Sequence, residues 1–216
     1  MRIAAVLLIA VLLSTSVISG TFAKYTTSAS SEDKARVAYW GFQSTNSMDL
    51  TGLFVDAYDS TVDSVDGADV IAPGTDGSAT FTFAWDEEVS AYGSAVSVTG
   101  PEVAYNFTVS VDGSTCDPAI ANNANIQWKL DNGDWGDWGT LLNSIKALSG
   151  DATGTKQYAP NTLPPAFTAQ DNVHTIEWQW IFSTDNAADV VDTELGNADA
   201  LNNVTIKITI NATQVD

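Results

Sequence analysis

The chain has 216 residues, with 27 acidic against 8 basic side chains and a formal net charge of -19. Hydrophobic residues at 44% and aromatics at 10% supply enough apolar surface for one folded core, which excludes a disordered acidic tail. The charge argues against nucleic acid and anionic lipid as partners, because the chain would repel their phosphates.

Met1 and Arg2 give a positive start, and residues 3–17 form an apolar run broken only at Ser14, Thr15 and Ser16. Ser19-Gly20-Thr21-Phe22-Ala23 then supplies small residues and a turn. This is the order of a secretory signal peptide, and it predicts cleavage between Ala23 and Lys24. The run falls short of the roughly 20 residues that span a bilayer, so the mature chain, 24–216, is expected to be secreted without a membrane anchor.

From there the pattern is one of short strands. Weak candidates come first, at 36–42 and 50–55. Ala72-Pro73-Gly74-Thr75-Asp76-Gly77 reads as a turn, followed by the alternating row Phe81, Phe83 and Trp85, and a weaker run at 95–99. Next are Tyr105, Phe107, Val109 and Val111, then Ile126, Trp128 and Leu130. Leu141, Leu142, Ile145 and Leu148 share a helical face, with Thr140 as expected cap and Gly150 just past the end. Ile176, Trp178, Trp180 and Phe182 return to strand period. A second helical turn is expected over 189–195, closed by Gly196, and Val204, Ile206, Ile208 and Ile210 make the last strand row. Each row is apolar on one face only, which fits antiparallel sheets covering a core. The predicted fold is all-β: a two-sheet antiparallel jelly-roll sandwich with one or two short helices in the connections, in a single domain.

Chemistry-bearing motifs are scarce. The single histidine, His174, cannot supply the paired imidazoles of a zinc protease helix, and reads as a structural residue near a strand start. Cys116 is the only cysteine, so there is no internal disulfide, and without a histidine at a recognisable spacing it reads as a loop or core thiol. The carboxylates at Asp56, Asp59, Asp63, Asp66 and Asp69, and at Asp131, Asp134 and Asp137, are weak candidates for low-affinity calcium, since hard cations want clustered oxygens; neither stretch keeps the order of an EF-hand, and a solvated acidic loop is the plainer reading. No other cofactor is expected. Among seven tryptophans, Trp128, Trp178 and Trp180 fall on core phases, while Trp135 and Trp138 lie in a Gly- and Asp-rich loop where an exposed ring could stack on a glycan.

Several stretches together resemble the TasA/camelysin family of exported matrix proteins, whose members carry signals cut by a dedicated signal peptidase. They are the signal end through Lys24-Tyr25, Ala35-Arg36-Val37-Ala38-Tyr39-Trp40-Gly41, Ile71-Ala72-Pro73-Gly74-Thr75-Asp76-Gly77-Ser78, Gly100-Pro101-Glu102-Val103-Ala104-Tyr105, Thr175-Ile176-Glu177-Trp178-Gln179-Trp180, Asp192-Thr193-Glu194-Leu195-Gly196 and Thr209-Ile210-Asn211-Ala212-Thr213-Gln214. The resemblance implies a jelly roll over 35–216 that polymerises head to tail into extracellular or biofilm fibres. It also implies a donor strand in the mature N-terminus: Lys24, Tyr25, Thr26, Thr27, Ser28, Ala29, Ser30, Ser31, Glu32, Asp33 and Lys34. That segment is poorer in large apolar residues than a strong donor would be. The implied partners are further copies of the chain, a signal peptidase during export, and an accessory matrix protein. No catalytic site is expected. The competing expectations are a camelysin-type metal-dependent surface protease and a monomeric, glycan-binding surface adhesin.

Overall fold

The computed structural model describes residues 38–40, 42, 50, 52–54, 70–83, 88–91, 94–97, 99–167, 173–182, 185–197 and 203–215. The expected signal peptide and donor segment, Trp85, and the carboxylates Asp56, Asp59, Asp63, Asp66 and Asp69 lie outside them.

Among the described residues, ten strands and three short helices follow in chain order: β1 (Asp76–Thr82), β2 (Glu88–Ala91), β3 (Ser94–Ser97), β4 (Tyr105–Ser110), β5 (Thr115–Cys116), α1 (Pro118–Ala121), β6 (Ile126–Leu130), α2 (Trp138–Ala147), β7 (Thr155–Tyr158), β8 (Val173–Trp180), α3 (Asn186–Gly196), β9 (Val204–Thr205) and β10 (Thr209–Gln214). Every strand pairing is antiparallel. One three-stranded sheet has the order β1-β8-β6 and another β10-β4-β7, with β2-β3 and β5-β9 as two-stranded pairs. The all-β expectation holds at this level.

The period-two rows are what place the core. In β4, Tyr105, Phe107 and Val109 are buried and Asn106, Thr108 and Ser110 are not; in β6 the same holds for Ile126, Trp128 and Leu130 against Gln127 and Lys129. β8 buries His174, Ile176, Trp178 and Trp180 on one face. These rows belong to one hydrophobic cluster. Aromatic contacts join the two larger sheets: Phe83, just past β1, lies 6.1 Å from Phe107 of β4, and Phe167 lies 5.5 Å from Phe83 and 5.6 Å from Phe107. α2 turns Trp138, Leu141 and Ile145 inward and packs on β6 and β4, as its 3.6-residue spacing requires.

The turn before β1 forms as its sequence dictates. Pro73 fixes one central φ and Gly74 takes φ +87°, with Thr75 N–H bonded to the Ala72 carbonyl at 3.0 Å, the residue preference of a type II turn. Gly77 has a different reason to be glycine. Its neighbour in register is Trp178, whose indole N–H donates to the Leu53 carbonyl. A Cβ on Gly77 would stand 2.5 Å from that indole nitrogen and closer still to the Leu53 oxygen.

Several expectations need correction. Residues 50–54 are no strand where described: Leu53 N–H closes a turn onto the Leu50 carbonyl at 3.1 Å, and Leu53 is a buried plug rather than one member of an alternating row. The cap of α2 is Asp137, not Thr140; its carboxylate accepts the Thr140 N–H at 2.7 Å, which makes Thr140 the third residue of the helix. Gly150 does stand past that helix in the left-handed region, at φ +84°. Phe182 does not continue the β8 row; it lies beyond the strand and is 65% exposed. The last row breaks into β9 and β10 because the Ser114 hydroxyl takes over the backbone of Lys207, accepting its N–H at 2.8 Å and donating to its carbonyl at 3.0 Å. The chain thereby leaves β5 and joins β4.

Candidate functional site

Two surfaces merit a functional reading: the edge formed by β10, and the outward face of β1-β8-β6.

β10 lies at the edge of its sheet, paired among the described residues with β4 alone, in a register that sets Ile210 opposite Val109 and Ala212 opposite Phe107. Ile206, Ile208, Ile210 and Ala212 are only half covered, although all pack against the core. The other edge of that sheet, β7, is short and carries Lys156, whose ammonium sits 5.2 Å over the Tyr158 ring. A charged, brief strand discourages added pairing, whereas a longer edge with partly exposed isoleucines invites it.

The outward face of the other sheet follows from strand register. Asp76, Gln179 and Gln127 form one rung; Ser78, Glu177 and Lys129 form the next; Thr80 and Thr175 form the third. Trp128 and Gly136 exchange both backbone hydrogen bonds, at 2.8 and 2.9 Å. That bridge lays the following loop along the free edge of β6 and sets Trp135 beside Lys129, whose ammonium lies 4.6 Å from the ring centroid. Gln179 donates to Gln127 at 3.0 Å, and Lys129 pairs with Glu177 at 2.9 Å. A cleft of about 340 Å³ lies over the β1 and β8 part of this face, lined by Asp76, Ser78, Thr175, Glu177, Gln179 and Trp135 among others. Trp135 is 38% exposed. Trp138, expected in the same exposed loop, is instead buried as the first residue of α2, edge-on to Trp128 at 5.2 Å.

The calcium candidates are engaged locally. Asp131, at φ +54°, accepts the Thr175 N–H through Oδ1 and faces His174 Nδ1 through Oδ2, both at 2.8 Å. Asp137 is the α2 cap, and the hydrogen bonds from Thr140 hold its carboxyl below the usual carboxylate range. Asp134 is exposed. No group of three or more His, Cys, Asp or Glu side chains able to hold an ion occurs among the described residues.

His174 is 7% exposed, and its second ring nitrogen, Nε2, lies 3.1 Å from the Ala166 carbonyl. Both nitrogens face acceptors, so both bonds form together when each carries a proton. Cys116 is half-buried in β5; burial, then the Asp117 charge, push its thiol up to about 12, far from the thiolate a nucleophile requires.

The polar grid on β8 and β6 is the feature that the sequence analysis missed. Its members sit on the phase opposite the core rows, so alternation alone marked them as solvent-facing. Their assembly with Trp135 depends on the Trp128–Gly136 bridge, which no local pattern announces. Among the described residues, no helix is long and apolar enough to cross a membrane. No protein family, curated protein or solved structure matches the chain.

Proposed function

We propose that this chain is a secreted structural protein whose copies polymerise head to tail into extracellular or biofilm matrix fibres, each donating its mature N-terminal strand, residues 24–34, to the next. The observation that carries the reading is the β10 edge. It offers backbone groups outside β4 and a row of half-covered isoleucines, the two things an incoming strand uses: main-chain hydrogen bonds for affinity and apolar seats for alternate side chains. A contact between one end of a subunit and an edge on the next does not close on itself, so it propagates as a filament. The fold that suits this role is the two-sheet jelly roll. The engaged nitrogens of His174 and the protonated thiol of Cys116 support a structural rather than a catalytic protein. Further partners of this reading are a signal peptidase during export and an accessory matrix protein that nucleates assembly.

The test is negative-stain electron microscopy of residues 24–216 beside a truncation to 35–216, each concentrated under the same conditions. Regular filaments from the first and folded monomers from the second are the expected result. Filaments from both would remove the donor role from 24–34; monomers from both, with a candidate nucleator present, would overturn the fibre reading.

A further inference from the structure

We infer that the outward face of β1-β8-β6 binds a neutral, hydroxyl-rich polysaccharide, with Trp135 as its stacking platform. The inference does not rest on fibre formation, since it concerns the other large sheet and would hold for a monomer.

The chemistry of the grid selects the ligand. Sugars present two kinds of surface: a ring face of C–H groups that packs on an aromatic plane, and a rim of hydroxyls that both donate and accept. Trp135 supplies the plane at one side of the face. Gln127 and Gln179 carry amides, each with donors and an acceptor, and Ser78 and Thr175 carry hydroxyls that can do either. The amide pair is already aligned at 3.0 Å, so a ligand meets a preset array rather than free side chains. From Trp135 across β6 and β8 to β1 is three strand spacings, about 14 Å. That reach, with a cleft of about 340 Å³, suits a short run of sugar units rather than one isolated ring.

Charge argues against an anionic polymer. In a chain of net charge -19, the centre of this face is electrically compensated, because Lys129 answers Glu177 at 2.9 Å. The remaining carboxylate of the grid, Asp76, lies at its β1 border, opposite Gln179. An anionic polymer would find no unpaired cation here, and it would also meet the exposed carboxylate of Asp134 next to Trp135. A neutral polymer faces neither penalty.

The experiment is affinity electrophoresis of the purified protein in native gels containing soluble starch, dextran, hydroxyethylcellulose or galactomannan, with hyaluronate and dextran sulfate as anionic controls. The protein is expected to be retarded by at least one neutral polymer and by neither anionic one. Trp135→Ala and, separately, Gln179→Ala are expected to weaken that retention about tenfold, the scale of one lost stacking or hydrogen-bonding contact, with unchanged melting temperatures. Trp135→Phe should retain part of it. Both alanine sites lie on the outward face, so a failure of one variant to fold leaves the other decisive. The inference is overturned by free migration in every neutral gel, by retardation in the anionic gels alone, or by undiminished retention in both alanine variants.

Discussion

Asp192 of α3 accepts the indole proton of Trp180 at 3.1 Å, tying the last helix to the end of the central strand β8. The carboxylate is only 8% exposed, and it also accepts from Asn123 Nδ2 at 2.9 Å and Asn125 Nδ2 at 3.2 Å. Three neutral donors converge on one carboxylate, which is how such a group is tolerated away from water. Removing the acceptor leaves the Trp180 and Asn123 donors buried and unpaired. Asp192→Ala is therefore expected to cost about 2–3 kcal/mol in urea denaturation. Asp192→Asn keeps one carbonyl oxygen for Trp180 and Asn123, and should cost about 1 kcal/mol.

Gly77 and Trp178 give a second, steric expectation. A methyl group at 77 would collide with the Leu53 carbonyl and the indole nitrogen that donates to it. Neither is the free end of a flexible chain. Gly77→Ala should destabilise by about 1–3 kcal/mol, although alanine normally improves on glycine within a strand. A variant as stable as the parent in thermal melts would mean that Leu53 does not sit against Trp178.

The contrast between these two sites explains what the sequence made legible. The rows of β4, β6 and β8 were readable because burial on one face writes itself as alternation: Tyr105, Phe107 and Val109 announce their partners by period alone. The turn at Pro73-Gly74 was readable because it demands particular backbone angles. Leu53 was not, since a single apolar plug carried by a turn has no period. α1 does carry a local signal: Asp117 caps it through the Ala119 N–H and Pro118 opens it, the preferred order at a helix start. The break between β9 and β10 was invisible because Ser114 and Lys207 stand 93 residues apart. Separation in sequence also hid the polar grid, whose Gln127–Gln179 pair joins positions 52 residues apart.

Helix capping by Asp137 carries a pH dependence. Thr140 lowers its folded pKa below the ordinary carboxylate value, so its contribution is fully present above the unfolded value of about 3.9 and is lost as pH falls through the folded one. Asp137→Asn keeps an accepting oxygen but does not titrate. Melting temperatures followed from about pH 5 downward should fall less steeply for Asp137→Asn than for the parent, while Asp137→Ala should be weaker by about 1 kcal/mol at neutral pH. Parallel acid slopes for parent and Asn variant would show that the cap does not hold Asp137 charged.

His174 and Asp131 are expected to behave as a structural pair. Asp131→Ala strips the bond to His174 and the bond from the Thr175 N–H and also places alanine at φ +54°, a region that asparagine tolerates better. It should cost about 2 kcal/mol or more. Asp131→Asn can still accept from Thr175 and can donate to Nδ1 of a neutral imidazole, leaving Nε2–H for the Ala166 carbonyl. Its loss should be less than half as large. Equal losses in chemical denaturation would separate the two residues energetically, despite the 2.8 Å contact.

The last expectation concerns the proposed assembly edge, and it is built so that folding and polymerisation come apart. Ile206 and Ile208 are partly buried at the core's margin and precede β10 outside its ladder, so lysine there adds charge without breaking a hydrogen bond to β4. Exposed lysines on and beside an edge are how natural sheets deter unwanted strand addition. Each long aliphatic stem can still lie along the apolar surface with its ammonium in water. The double variant Ile206→Lys, Ile208→Lys should keep the far-ultraviolet dichroism of the parent and melt within a few degrees of it, yet form no filaments under conditions where residues 24–216 do. Unchanged filaments from the double variant would move the accepting edge away from β10, and β7 would become the place to introduce the same charges.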